Sequence, residues 1–490
     1  MTHEGSHLSL SKRRRSLAVC VGATLAFAAS VPTDGRTRSA RTTPARAPQV
    51  NAAATPAGTV VVTNCDDAGS GSLRDAVASA ASGETIDLTQ LTCSTITLTS
   101  GAIDVAQDDL SLDGPGAGSL TIDGSRTDRL LTHDGNGTLR IQGLALTNGY
   151  YVSPGNYGVG GCVYSIGNLS VYDSAVSHCT ASGDLYGLGG GIYVYGDLRI
   201  VDSIVTGCLV EGTASDGGGI HVLGNAYLSH ALVTNNTARG TKLSSAAGIF
   251  VILGDLTVQY STLAYNTAYA PAGGFSLGAA IHSFGNVTIR NSTVFGNTAY
   301  NVAALVLEAY NDTPTATVVD STISGNGDSS TIFGALYTTI PLAVYNSTIA
   351  FNLGNSVGGI YAFGPPLLLE SSIVASNAGQ DLRLGHGATV GGSHNIIVTA
   401  TTVPPDTIRS DPLLLPLTGN GGPTLTHALQ AGSPAIDAGS NVMALATDQR
   451  GAGYPRVSGF APDIGAFESA FSDRIFADGF DGGTERRVHD

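Results

Sequence analysis

The chain contains no tryptophan, only two methionines and only two lysines (Lys12 and Lys242) in 490 residues. Charge of either sign is scarce, at 12% of residues against about 25% in ordinary globular proteins. The balance is acidic, 23 basic side chains to 38 acidic and a net of −15, which excludes a nucleic-acid partner held through its phosphates. No apolar run reaches the roughly 20 residues a membrane helix requires. Low charge beside 42% hydrophobic residues excludes intrinsic disorder, which needs the opposite combination. G-x-S-x-G, P-loop and H-E-x-x-H patterns are missing, and no C-x-x-C or His-x-His spacing marks a metal site.

What is abundant is glycine, 65 residues, together with Ser, Thr, Asn and Val. That composition suits short strands joined by tight bends. Residues 1–28 read as an export signal: a basic stretch Lys12-Arg13-Arg14-Arg15, an apolar core Leu17–Ala29 too short to span a bilayer, and Ala26-Phe27-Ala28 as a cleavage site. Residues 29–57 are rich in Ala, Thr, Pro and Arg without hydrophobic period, and are expected to be a flexible linker.

Between about 135 and 399 the chain repeats itself. One column reads Ser174, Ser203, Ser261, Ser292, Ser321, Ser347 and Ser372, with Gly143 and His230 filling two places. Five residues after each comes Asn148, Cys179, Cys208, Asn235, Asn266, Asn297, Asn326, Asn352 and Asn377. Apolar pairs such as Leu169/Val171 and Leu256/Val258 precede the Ser column at fixed offset, alternating with polar residues as in strands buried on one face. Repeat length varies while these offsets do not, so insertions enter at one edge of each repeat. A recurrent Asn predicts a ladder of stacked amides inside a bend. The expected fold is all-β, a single-stranded right-handed parallel β-helix with three strands per rung. Open strand edges at its ends need covers. Ser72-Leu73-Arg74-Asp75 supplies an N-terminal helix cap within 58–134, and residues 400–470, where Pro and Gly rise, a C-terminal cap before a polar tail, 471–490.

At these caps the chain resembles a known family. Val62-Thr63-Asn64 with Gly71-Ser72-Leu73-Arg74-Asp75-Ala76 resembles the CSLREA-type N-terminal region of secreted bacterial β-helix proteins. Gly419–Thr424, Gly432–Gly439, Thr447–Gly451 and Asp463–Glu468 resemble a choice-of-anchor Q domain. The resemblance implies a pectin-lyase-like solenoid exported to the cell surface or medium. It transfers no catalytic residue, because the matching motifs are structural. Gly385-His386-Gly387 matches one short polygalacturonase motif, but its companions are absent.

Of the six cysteines, Cys20 leaves with the signal. Cys65 and Cys93, one rung apart, are expected to bridge. Cys179 and Cys208 share adjacent ladder places, where a disulfide and two stacked thiols are both open, and Cys162 is left unpaired.

Two sets of residues are candidates for function. Asp173 and Asp202 occupy one column with Arg199 on the preceding strand. Stacked carboxylates beside an arginine could bind Ca²⁺ or act as a catalytic pair, though bends favour Asp for conformational reasons alone. No other cofactor is implied. Tyr164, Tyr193, His221, Phe250, His282, Tyr337 and Tyr361 each follow an inward Ile or Val or its equivalent, and are expected to form an outward column along one sheet. Exposed rings would present apolar faces to sugars, while ring-on-ring stacking alone would merely stabilise the sheet. The leading reading is a monomeric, exported, non-catalytic protein, adhesin-like or a scaffold, contacting a polysaccharide or cell-surface glycan. The alternative is a polysaccharide lyase or glycoside hydrolase.

Overall fold

The computed structural model describes residues 58–310 and 313–470; the expected signal peptide, linker and tail lie outside them. The described chain is a right-handed parallel β-helix. Its strands stack into sheets of thirteen, twelve and eleven members, here sheets I, II and III, and every pair between them is parallel. One rung shows the path. The strand Val163–Ser165 belongs to sheet III, Asn168–Tyr172 to sheet I and Ala175–Ser177 to sheet II. Inward residues such as Val163, Leu169, Val171 and Val176 are buried in one continuous core, each stabilising the stack by about 1.5–3 kcal/mol.

Single residues with positive φ turn the corner from sheet I to sheet II. They are Gly143, Asp173, Asp202, His230, Tyr260, Asn291, Asp320, Asn346 and Ser371, with φ between 41° and 63°. Each is followed by the Ser column, whose Oγ accepts the backbone N–H of the rung before, as Ser203 does from Ser174 at 3.1 Å. Gly143 and His230 therefore sit one place earlier than the repeat implied; Leu144 and Ala231 occupy the Ser positions, donating to Ser174 and Ser261. Likewise Asn236, not Asn235, begins the asparagine ladder, and Asn148 stands one place ahead of Gly149. From there Asn236, Asn266, Asn297, Asn326, Asn352 and Asn377 each bond the next, buried, through Nδ2 and Oδ1. Asp381 closes the ladder: it accepts from Asn377 on one oxygen and from Thr399 on the other.

The first rung is covered by the helix Leu73–Ser79, with Ser72 as its N-cap accepting from Asp75 N–H at 3.2 Å. Asp75 returns a bond, but to the N–H of Gly71. Asp67 fastens this cap to the stack, accepting from Arg74 at 2.8 Å and from Thr99 and Ser100. Although partial burial opposes it, those donors hold the Asp67 carboxyl well below the usual range.

Two features depart from the three-strand expectation. The insertions between sheets II and III build a fourth, nine-stranded sheet IV, including Tyr157–Val159, Tyr186–Leu188, Leu209–Asp216, Thr237–Ser245 and Phe275–Leu277. And residues 400–470 cap the last rung only at their start, where Ala400 and Ile408 bridge to Leu382 and Ile396. Beyond that the chain returns along the solenoid as a strap on the corner between sheets I and II and on the outer face of sheet II. Thr293 donates to Leu425 C=O at 2.7 Å, Thr322 to Gln449 at 2.6 Å, and Asn346 to Ser440 C=O at 3.0 Å. Beneath it Arg456, 1% exposed, pairs with Asp320 at 3.4 Å and Glu468 at 3.0 Å. Burial pushes both acids' pKa upward against the pull of Arg456. The motif residues Asp448, Arg450, Asp463 and Glu468 are thus accounted for as the strap's internal fastening, and Gln449 as its tie to sheet II.

The cysteine expectations need one correction. Cys65 and Cys93 are bonded, Cα atoms 6.5 Å apart. Cys162, however, pairs with Cys179 at a Cα separation of 5.4 Å, leaving Cys208 free and buried. The chain bends back within one rung, so a partner 17 residues away lies as near as one a full rung away. Burial pushes the Cys208 thiol up to about 12.

Candidate functional site

Asp173 and Asp202 sit on adjacent rungs at the exposed corner between sheets I and II, with φ of 47° and 49°. Short polar residues tolerate that conformation, which by itself explains the column. Arg199 does not join them. It lies on the outer face of sheet I, its guanidinium carbon 4.2 Å from the centre of the Tyr227 ring one rung on. Among the described residues no hydrogen bond or ion pair links Arg199 to either aspartate, and no group of three or more His, Cys, Asp or Glu side chains converges as a metal would require. Further along the corner the equivalent Asp320 is buried against Arg456. There the column serves to dock the strap.

The aromatic column forms a stack, but most of it is not exposed. Tyr164, Tyr193, His221, Phe250 and His282 follow one another at 5.6, 5.1, 5.0 and 5.2 Å between ring centres. Val306 interrupts the line before Tyr337 and Tyr361, 5.6 Å apart. Sheet IV lies over it: Leu188 packs against Tyr193, and Leu243, Leu277 and Val302 form a cluster with Val306 and Tyr337. Tyr193, His221, Phe250, His282 and Tyr337 are at most 5% exposed, and only Tyr164 and Tyr361 at the ends are partly open. The residues expected to offer a sugar platform therefore form a second core. Burial moves the His221 imidazole down to about 3, so it is neutral there.

Within this layer His282 holds Ser245 Oγ at 2.5 Å through Nδ1 and Glu308 at 3.2 Å through Nε2. The order of groups is that of a hydrolytic relay, but the three are 0%, 0% and 3% exposed, closed to any substrate.

Exposed rings occur elsewhere, at the corner where sheet II passes into sheet IV. The segments Tyr265-Asn266-Thr267-Ala268-Tyr269 and Phe295-Gly296-Asn297-Thr298-Ala299-Tyr300 lie on consecutive rungs, their Thr and Ala residues in register. The ladder asparagines and the alanines point inward, so the remaining side chains face out. Tyr265, Tyr269 and Tyr300 are 54%, 53% and 45% exposed. Tyr265 meets Phe295 edge-on at 4.9 Å, and its ring occupies the space that a Cβ on Gly296 would enter. Between the two aromatic pairs, Thr267 and Thr298 hydroxyls bond at 3.2 Å. The result is an aromatic–hydroxyl–aromatic surface two rungs deep. The near-identity of the two segments was the available signal: a repeat that keeps aromatics on its outward positions marks a surface.

No protein-family model matches the chain, and no curated protein matches it. Among solved structures it is similar to "Crystal structure of pectate lyase Pel9A", at 15% identity and a TM-score of 0.41, over 84% of this chain and 97% of that one. That similarity concerns the solenoid path, and no residue role is taken from it.

Proposed function

We propose that this protein is an exported, non-catalytic β-helix that acts by contact, as an adhesin-like or scaffold protein, and that its ligand is a glycan held at the Tyr265, Phe295, Tyr269, Tyr300 corner. The observation that carries the reading is three tyrosines about half exposed on two consecutive rungs, in a chain that buries the rings of its main aromatic column under sheet IV. Apolar ring faces suit the C–H faces of pyranoses, and the Thr267/Thr298 pair suits their hydroxyls. Two disulfides fit an oxidising compartment, in keeping with the export signal expected at residues 1–28. No helix among the described residues is long and apolar enough to cross a membrane. A lyase or hydrolase would need its acid, base and substrate path together, and Asp173, Asp202 and Arg199 offer no such convergence.

The test is co-sedimentation with insoluble polysaccharides. Tyr269→Ala/Tyr300→Ala should weaken retention on a polymer that wild type binds, with the circular dichroism spectrum unchanged. Equal retention of both proteins would refute the assignment of this corner.

A further inference from the structure

We infer that the outer face of sheet I carries a second, separate saccharide site, a trough along the solenoid axis built for an uncharged polyhydroxyl chain. It goes beyond the corner described above and uses none of its residues. The trough encloses about 550 Å³, lined among others by Asn168, Ser170, Asp197, Arg199, Tyr227 and Asp255.

One wall is a ladder of alternating amide and acid. Asp197 N–H donates to Asn168 Oδ1 at 2.9 Å, Asn225 N–H to Asp197 at 2.8 Å, Asp255 N–H to Asn225 at 2.9 Å and Asn286 N–H to Asp255 at 3.0 Å. Each aspartate spends Oδ1 on the next asparagine. Its Oδ2 has no hydrogen-bond partner among the described residues and is left as an acceptor. Strand spacing sets these free acceptors about 10 Å apart along the axis. The floor supplies donors and a platform. Arg199 lies over the Tyr227 ring at 4.2 Å without an ion pair among the described residues. Gln259 donates to Tyr227 Oη at 2.7 Å, which fixes that ring.

Charge selects the ligand. The one guanidinium of the lining, Arg199, is outnumbered by Asp197 and Asp255, and the whole chain carries −15, so a polyanion gains nothing here and meets an unfavourable long-range field. A cation would meet Arg199. A hydroxyl suits both kinds of group, since it donates to a carboxylate oxygen and accepts from a guanidinium N–H. The trough runs parallel to the ladder and repeats with it, so the ligand is a linear polymer rather than a single sugar. With the corner site on a different face, one molecule can engage two chains.

Purified full-length protein is titrated with hydroxyethylcellulose, glucomannan, arabinogalactan and dextran as neutral probes and polygalacturonate as the anionic one, using affinity electrophoresis and light scattering. Wild type should bind at least one neutral polymer more tightly than polygalacturonate and cross-link it, raising scattering. Arg199→Ala, an exposed change, should weaken binding about tenfold in the Tyr269→Ala/Tyr300→Ala background and abolish cross-linking when introduced alone. Arg199→Lys, which keeps the charge but loses the planar stacking and fork, should recover little. Scattering and affinity unchanged by Arg199→Ala would overturn the inference while leaving the corner site standing. Preference for polygalacturonate would overturn it likewise. Binding to no neutral polymer would refute it too, and binding to no polymer at all would also remove the proposed glycan-contact function.

Discussion

Replacing Asn326 by alanine tests the ladder that holds the rungs in register. Its Oδ1 accepts from Asn297 N–H at 3.0 Å and Nδ2 at 2.9 Å, while its own Nδ2 donates to Val294 C=O at 3.0 Å and Asn352 Oδ1 at 2.8 Å. Alanine removes four bonds, two from donors and two to acceptors, in a buried site; Asn297 Nδ2 and Asn352 Oδ1 each keep another partner. Each such loss costs about 1–3 kcal/mol, and because neighbouring losses are not additive the expected total is about 3–5 kcal/mol. Asn326→Asp is the sharper variant. It keeps the acceptor but turns a carboxylate oxygen towards Val294 C=O and Asn352 Oδ1, and it should be at least as damaging at pH 7. An acid whose folded pKa is raised is most stable protonated, so its deficit should shrink as pH falls towards 4. The contrast with Asp381 explains why an acid is tolerated only at the ladder's end, where Thr399 donates to the second oxygen at 2.8 and 2.6 Å. Urea denaturation followed by circular dichroism gives the energies. Hydrogen exchange should show lost protection around residues 294–297 and 350–352 and none near the N-terminal cap, because each rung touches only its neighbours. A loss below about 1 kcal/mol, half that expected of a single unmade bond pair, would refute the reasoning.

Phe250→Ala, under sheet IV, should cost about 3–5 kcal/mol of stability yet leave polysaccharide binding per folded molecule unchanged; loss of binding with full stability would return the buried column to the functional site. Asp216 is buried with Oδ1 unpartnered, and burial raises its pKa to about 7. Its folded pKa lies above the unfolded one, so stability falls as pH rises from about 4 to 7, and Asp216→Asn should raise Tm at pH 8 but hardly at pH 4. Asp67 runs the other way: its depressed carboxyl stabilises the N-terminal cap above about pH 4, and that contribution is lost as pH falls further. Asp67→Asn should therefore lower cap stability, read by hydrogen exchange of residues 72–79, at pH 7 and by less at pH 2. Cys208, buried and with its thiol pushed up to about 12, should resist iodoacetamide in the native state and react on unfolding; prompt native labelling would contradict its placement.

The β-helix was legible because a ladder requires constant spacing from apolar pair to Ser to Asn, whatever is inserted between repeats. Two places were misread by one residue, at Gly143 and His230, where the Ser column is filled by Leu144 and Ala231 and the bend residues invited the wrong alignment. Sheet IV is not legible in the sequence for a physical reason. An outward residue such as Phe250 alternates with inward ones in the same way whether water or another layer covers it, and the covering strands come from insertions of unequal length. The strap was readable only as irregular, Pro- and Gly-rich chain, since Asp320 meets Arg456 from 136 positions away. Asp173, Asp202 and Arg199 are close in repeat coordinates but face different surfaces, a distinction that depends on which side of a bend each residue stands. The corner rings were visible in principle, through the Asn-Thr-Ala-Tyr sequence shared by two successive repeats, which puts Tyr269 and Tyr300 at matching places, with Tyr265 and Phe295 offset by one residue.

The central claim is contact without turnover, and one measurement addresses it directly: incubation of the purified chain with soluble neutral and acidic polysaccharides, with and without Ca²⁺, assayed in parallel for bound polymer and for new reducing ends or unsaturated products. The account predicts polymer binding that depends on Tyr269 and Tyr300, with no change in polymer length. Cleavage that survives the tyrosine substitutions and is lost in Asp202→Asn would contradict it.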